Sequence, residues 1–315
     1  MVIGIDLGGM SAKAAVLSDG VLAGKSRVET NADDAPEQTA VALVKLAAEA
    51  AESAGVKFEQ VQAIGIGAPG VIDSANGAVV YWSNFDWRDV RLAELVRKHS
   101  GKPVYITNDA NAAALGEAKF GAGMPYRDSV LVTLGTGVGG GIILNGKLFE
   151  GFRSAGAEIG HMTVQQDGDL CTCGRKGCYE RYASTAGLIR RTREVMQAYP
   201  ESGMWKIAPD LNKVDGRTAF DAMRQGDAVA KRVVSDYVGY VGEGIVNLVN
   251  LLRPRAVIIG GGISAEGETL LAPLREYVYP RIYVSETYAA LDIICAKLGN
   301  DAGLYGAAQF ALDNL

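Results

Sequence analysis

Histidine and cysteine are scarce: a chain of 315 residues carries only two of the first and four of the second. Three of the cysteines, Cys171, Cys173 and Cys178, fall within eight residues, and the fourth, Cys295, stands alone in an apolar run. Such spacing suits a metal cluster better than a disulfide framework, and Cys295 is expected to be a small core residue. No apolar run approaches the roughly 18 residues that a membrane span needs. Met1-Val2-Ile3-Gly4-Ile5-Asp6 lacks the basic stretch and apolar run of a leader. A cytoplasmic protein without a membrane partner is expected. Positive charge is not in excess either, with 31 Lys and Arg against 36 Asp and Glu and a net charge of −5. The broad positive field that phosphate-backbone binding needs is absent, so nucleic acid is not expected as a partner.

What the sequence has in abundance is apolar residues, 48% of the total, and glycine, forty in all. A chain of this length and hydrophobicity buries a sizeable core and should form about two domains. The glycines cluster at Gly8-Gly9, Gly65 to Gly70, Gly135 to Gly141 and Gly260 to Gly262, each after a β-branched run. Val2 to Ile5, Ala12 to Leu17 and Val21 to Val28 read as a three-stranded meander whose second turn is Asp19-Gly20. Pro36 to Ala54 reads as a helix, with proline in its first turn and Gly55 past its end. Strands at Val61 to Ile66 and Val104 to Thr107 flank an amphipathic Leu92 to Lys98 segment, and His99 is expected to be exposed at its end.

The second half repeats this order. Strands at Ser129 to Leu134, Gly140 to Leu144 and Lys147 to Phe149 include an Asn145-Gly146 hairpin turn. Helices at Thr185 to Gln197, Ala228 to Leu252, Thr269 to Tyr277 and Ala302 to Leu312 alternate with strands at Ala256 to Ile259 and Ile293 to Ala296. Met204 to Arg217 is expected to be a surface excursion. Two meanders followed by alternating helices and strands imply two α/β domains, each with helices on a mixed sheet, and a cleft between them.

Asp6-Leu7-Gly8-Gly9 turns the first strand into the second, where bare backbone can approach an anion and Asp6 its cation; alone, a plain hairpin explains it as well. Leu134-Gly135-Thr136-Gly137-Val138-Gly139-Gly140-Gly141 stands at the equivalent turn of the second half, with amides and the Thr136 hydroxyl on offer. A hairpin does not need five glycines, so the matched turns point to a phosphate chain. Gly260-Gly261-Gly262 follows a strand and could take an adenine and ribose, but it lacks the G-x-G-x-x-G spacing, and no G-x-x-x-x-G-K-[ST] loop exists anywhere. Any nucleotide site is therefore of another kind. Asn108-Asp109 ends a strand and opens an alanine-rich helix, where either residue could be the N-cap.

Glu158-Ile159-Gly160-His161 precedes Cys171-Thr172-Cys173-Gly174-Arg175-Lys176-Gly177-Cys178-Tyr179-Glu180. Three thiolates and one imidazole suit a closed, structural, tetrahedral zinc site, a redox or incidental cluster being the alternative.

Together these segments resemble the ROK family of sugar kinases and repressors, within the class that includes actin, hexokinases and heat-shock chaperone ATPases. The resemblance spans essentially the whole chain and is most specific at Glu158-x-Gly-His161 and Cys171-x-Cys173-Gly-x-x-Gly-Cys178-x-Glu180. It implies an actin-like ATPase (ribonuclease H-like) fold of duplicated βββαβαβα domains: a small domain of residues 1–110 plus 301–315 and a large one of 111–300. It implies that Asp109 is the catalytic base, that Asn108, Glu158, His161 and Glu180 hold sugar hydroxyls, and that Gly70 lies near the sugar. His161, Cys171, Cys173 and Cys178 would bind zinc. Asp6, Gly8, Gly9, Ser11, Lys13, Gly135, Thr136, Gly137, Gly261 and Gly262 would serve ATP and its magnesium. One position departs from the pattern: Met10 stands where the family usually has threonine after the paired glycines, which implies weakened or rerouted phosphate binding.

The activity this implies is phosphorylation of a hexose at its primary hydroxyl, glucose first, with N-acetylmannosamine, mannose, allose, fructose and β-glucosides behind it. A non-catalytic sugar sensor is the rival that Met10 keeps open, and a polymerising or chaperone-like ATPase would not need Glu158, His161 and Glu180 together. Repressors of the family carry a helix-turn-helix domain ahead of the first strand, and here the Asp6 strand begins at once. A homodimer or homotetramer is the assembly usual in such proteins.

Overall fold

The computed structural model describes residues 1–315. No helix is long and apolar enough to cross a membrane. The opening strands β1 (Val2–Leu7), β2 (Ser11–Ser18) and β3 (Val21–Glu29) form the expected antiparallel meander. Asp19 and Gly20 both take left-handed φ values, 49 and 80°, which is what a two-residue hairpin turn of this hand requires. Helix α1 (Pro36–Ser53) packs Leu43, Leu46, Ala47 and Ala50 into the core. It can come close because Gly24 lies beneath it: a Cβ there would fall 2.1 Å from the Ala50 carbonyl oxygen.

Strand β4 (Ile64–Ala68) joins β1 in parallel. A small antiparallel sheet that sequence patterning does not reveal comes next: β5 (Val71–Asp73), β6 (Ala78–Trp82) and β7 (Trp87–Val90). Its core is aromatic, with Trp82 and Phe85 stacked at 3.9 Å and Trp87 edge-on to both. Helix α2 (Leu92–Ser100) ends on left-handed Gly101, and His99 in its last turn is exposed and lies 2.6 Å from Glu37 Oε1. Strand β8 (Val104–Asn108) completes a first five-stranded sheet in the order β3-β2-β1-β4-β8, and helix α3 (Asp109–Phe120) follows without a break.

Strands β9 (Ser129–Leu134), β10 (Val138–Leu144) and β11 (Lys147–Phe149) repeat the meander, with left-handed Asn145 and Gly146 at the turn. Helices α4 (Glu180–Ala183), α5 (Thr185–Ala198), α6 (Met204–Ile207), α7 (Thr218–Arg224) and α8 (Ala228–Leu252) come next. Strand β12 (Ala256–Gly260), helix α9 (Glu268–Val278), strand β13 (Asp292–Cys295) and helix α10 (Ala302–Asp313) finish the chain. The second sheet has the order β11-β10-β9-β12-β13, the same pattern as the first.

The expected surface excursion Met204 to Arg217 keeps Lys206, Pro209, Asn212 and Lys213 exposed, but it is anchored: Met204, Ala208 and Val214 are buried and the Trp205 indole N–H donates to the Met196 carbonyl at 3.0 Å. Cys295 is half-buried, not a core residue, and its thiol donates to the Ser264 carbonyl at 3.3 Å.

The chain divides into two compact units, one of Met1–Leu131, Gly141–Ala157 and Ala296–Leu315, the other of Val132–Gly140 and Glu158–Cys295. Helix α3, which the expected boundary at residue 110 cuts near its start, packs in the first unit against α10. Glycines permit that crossing: a Cβ on Gly116 would lie 2.2 Å from the Ala302 carbonyl oxygen, and one on Gly306 would lie 1.6 Å from that of Ala112.

Candidate functional site

In the first unit, Asp6 sits near the end of β1 directly opposite Lys13 on β2. Burial raises the Asp6 carboxyl above its ordinary value; the Lys13 charge opposes that rise and the Asp109 charge adds to it. Behind it, α10 presents Gly303, where a Cβ would approach the Asp6 carboxylate to 3.0 Å. The turn after Asp6 closes with Gly8 N–H donating to the Ser11 carbonyl at 3.0 Å. The Thr30 hydroxyl donates to the Gly8 carbonyl at 2.9 Å, while Met10 stands 86% exposed. Asn84 also reaches this turn: its amide nitrogen would lie 2.9 Å from a Cβ on Gly9. No local pattern announces it.

At the junction of β8 and α3 the structure chooses between two caps. Asn108 is the N-cap, its Oδ1 accepting the N–H groups of Ala110 and Asn111 at 2.9 and 3.2 Å. Its Nδ2 donates to the Gly70 carbonyl at 3.1 Å, tying the Gly67-Ala68-Pro69-Gly70 turn to the helix head. Gly70 has φ +89°, and a Cβ there would fall 2.3 Å from the Tyr81 carbonyl oxygen, so the position needs glycine twice over. Asp109 is the first helical residue and half-buried, with Oδ1 accepting the Ala110 N–H at 2.8 Å. Burial raises its carboxyl above the ordinary value, and the hydrogen bonds from Ala110, from its own N–H and from Asn108 only partly offset this.

In the second unit, the glycine turn between β9 and β10 leaves Thr136 exposed and is closed by Gly135 N–H donating to the Gly137 carbonyl at 3.0 Å. Thr185, at the start of α5, holds the turn from behind by donating its N–H to the Gly135 carbonyl at 2.8 Å. Gly261 has φ +81° and packs on Leu134, whose carbonyl oxygen would lie 2.4 Å from a Cβ there; Gly262 faces open space. These glycines thus form a bare-backbone surface within one unit, of the kind that admits phosphates and a nucleoside. Glu180 joins it: its Oε2 accepts the Val138 N–H at 3.0 Å. The residue before Glu180 fixes α4 in place, since Tyr179 is fully buried, its ring against Gly244 and its hydroxyl donating to the Val241 carbonyl at 2.9 Å.

Glu158 is exposed and precedes the single helical turn Ile159–His161. One ligand atom from each of His161, Cys171, Cys173 and Cys178 lies within 4.8 Å of all the others. The His161 Nδ1 to Cys171 Sγ distance is 3.8 Å and Cys173 Sγ to Cys178 Sγ is 3.6 Å. Tetrahedral bonds of about 2.3 Å to sulfur and 2.0–2.1 Å to nitrogen require separations of about 3.5–3.8 Å, so the donor set fits a structural zinc ion. Within the cluster, burial pushes the Cys178 thiol up to about 12, whereas the backbone hydrogen bond from Arg175 holds the Cys173 thiol below its ordinary value. Nδ1 faces the sulfurs, which leaves Nε2 as the ring nitrogen able to serve a ligand. Arg175 braces the site by donating to the His161 carbonyl at 3.2 Å and the Thr163 hydroxyl at 2.9 Å.

Duplicated sheets with glycine turns at equivalent positions, an acid at the head of α3 and a Cys3His cluster define a class: the two-domain, actin-like sugar kinases and their relatives. The description "ROK family" matches residues 2–314, and the chain belongs to that family. It is 37% identical to a glucokinase of Thermotoga maritima over 99% of this chain and 98% of that one. It is 40% identical to a glucokinase of Streptomyces coelicolor over 99% and 97% of the two chains. A crystal structure of a ROK family glucokinase from Streptomyces griseus, in complex with glucose and AMPPNP, superposes with a TM-score of 0.83 at 38% identity, covering 99% of each chain.

Proposed function

We propose that this protein transfers the terminal phosphate of ATP to the primary hydroxyl of a hexose, glucose before others. The observation that carries this is Asp109: an acid at the head of α3, held by burial in a state readier to accept a proton than an ordinary carboxylate. The glucokinase names of the relatives, and the glucose and AMPPNP held by the Streptomyces griseus protein, point the same way.

In this mechanism Asp109 orients the sugar hydroxyl and takes its proton late, as the oxygen bonds to phosphorus in a loose transition state. Asn108, Glu158, His161 and Glu180 hold the other hydroxyls, the carboxylates accepting and the His161 Nε2–H donating. The Gly70 turn backs the sugar. Gly8, Gly9, Ser11 and Lys13 with Gly135, Thr136 and Gly137 serve the phosphates, and Gly261 and Gly262 the adenosine. Magnesium held near Asp6 would neutralise charge on the transferring phosphate. Zinc would be held by His161, Cys171, Cys173 and Cys178; four protein donors would leave no open position for substrate, so its contribution would be to place His161.

Such a protein works where ATP is abundant and thiols stay reduced, which is the cytoplasm. A homodimer or homotetramer is the assembly proposed, to be read from light scattering. The deciding experiment is a coupled ADP-release assay with Mg-ATP over a panel of hexoses, hexosamines and β-glucosides. Sugar-dependent release greatest with glucose is expected; background release with every sugar would remove the kinase assignment.

A further inference from the structure

Gly70 leads into β5, and β8 ends at Asn108; a third segment holds both strands. Glu150 follows β11 directly, and one of its oxygens, Oε1, accepts the Ser74 hydroxyl at 2.6 Å and the Thr107 hydroxyl at 2.9 Å. Thr107 is fully buried, so its hydroxyl has no access to water and is committed to that carboxylate. Ser74 lies one residue past β5, and Thr107 is the residue before Asn108.

The chain after Glu150 has an unusual backbone. Arg153, Ser154 and Ala157 take φ values of 52, 56 and 64°, although none is glycine. Residues stay in that region only where their surroundings hold them. The surroundings here are Glu150, whose carbonyl accepts the Gly156 N–H at 2.8 Å, and β5 with its following turn. Ser154 Oγ accepts the Ser74 N–H at 3.3 Å. The Arg153 guanidinium lies 3.5 Å from Oδ2 of Asp73, a buried carboxylate that also accepts the Asn76 N–H at 3.2 Å and its side-chain amide at 2.9 Å. The loop thus grips β5, its first residue grips β8, and the next residue after Ala157 is Glu158.

We propose that Glu150 is a positioning residue for the acceptor sugar. By holding Ser74 and Thr107 on one oxygen, it fixes the spacing between the Gly70 turn and Asn108, and it sets where the loop ahead of Glu158 begins. The β4–β8 ladder ends with Ala68 opposite Asn108; beyond it the hydrogen bond from Asn108 to the Gly70 carbonyl spans the same gap, and a shift of either strand end would break that bond. This inference rests on the sugar-kinase function proposed above.

The test is steady-state kinetics on the full chain with Mg-ATP and glucose. Glu150→Ala should raise the sugar KM about tenfold or more and leave the ATP KM within about twofold. Glu150→Gln keeps an acceptor oxygen for both hydroxyls and should hold the sugar KM within about threefold of the parent. Thr107→Val should raise the sugar KM by itself and add little in the Glu150→Ala background, because the shared bond is already lost. A role in stability alone would lower Tm and active fraction with both KM values unmoved, and that result overturns the proposal. Should Glu150→Ala not fold, Thr107→Val against the parent decides: a raised sugar KM supports the positioning role and an unchanged one ends it. Absence of sugar-dependent ADP release in the parent would overturn the function and this inference together. An active parent whose variants keep their sugar KM would overturn this inference alone.

Discussion

Glu180 accepts the backbone N–H of Val138 at 3.0 Å, and a Cβ placed on the adjacent Gly137 would fall 2.3 Å from the same carboxylate oxygen. The acid assigned to the sugar is therefore fastened to the glycine turn assigned to the phosphates. Gly137→Ala should push Glu180 aside and raise the KM for sugar and ATP alike, about tenfold each. Gly262→Ala meets open space and should raise the ATP KM alone. Equal, isolated effects on ATP from both variants would show that the Glu180 contact carries no information between the two ligands.

Asp109→Asn should lower turnover by about 10²-fold or more, with sugar KM little changed, since the residue loses its proton acceptance and charge while keeping the oxygen that accepts the Ala110 N–H. The fold should survive because the capping side chain is that of Asn108. A variant keeping most of its turnover would reduce Asp109 to a helix residue.

The same carboxyl predicts two pH effects of known sign. Burial holds it above the ordinary 3.8, so kcat/KM should fall on acidification with a midpoint above that value. Between 3.8 and that raised value the folded chain binds a proton that the unfolded chain has released, so this group's contribution to stability falls as pH rises through the window. Asp109→Asn should therefore raise Tm at neutral pH and leave it unchanged below the ordinary carboxylate pKa. A lower Tm at neutral pH would mean that the charged form is stabilised in the fold.

Cys173→Ser removes one of four donors and should reduce bound zinc below the roughly one ion per chain expected for the parent, as read by elemental analysis. Because His161 is one of the remaining donors, sugar binding should weaken before ATP binding does. Unchanged sugar affinity in the metal-free protein would leave the cluster as a fold staple only.

Met10→Thr places a hydroxyl at an exposed position beside the Asp6 turn, where Thr30 already supplies one to the Gly8 carbonyl. Apparent ATP binding should tighten by roughly 1 kcal/mol, or several-fold, with sugar affinity untouched. Weaker ATP binding would show that Met10 is fitted to its surroundings.

Features set by neighbours along the chain were legible from the sequence. The hairpin turns Asp19-Gly20 and Asn145-Gly146 need left-handed backbone that few residues give, and the bounds of α8 at Ala228 and Leu252 follow from apolar periodicity. His161 and the three cysteines lie within eighteen residues, so spacing alone brought the zinc set into view. Tertiary structure decided the rest. The strands β5 to β7 have three to five residues each, too few for a period to emerge, and they owe their place to the Trp82, Phe85 and Trp87 cluster. Asn108 was separated from Asp109 as the cap by an acceptor 38 residues away, the Gly70 carbonyl. Glu180 meets Val138 across 42 residues and Glu150 meets Thr107 across 43. Helix α3 was assigned to its unit by the meeting of Gly116 and Gly306 with the backbone of a distant helix. Propensity and turn chemistry act over a few bonds, whereas the partner of a buried hydroxyl or carboxylate depends on which backbones the packed sheets bring within 3 Å, and no short pattern encodes that.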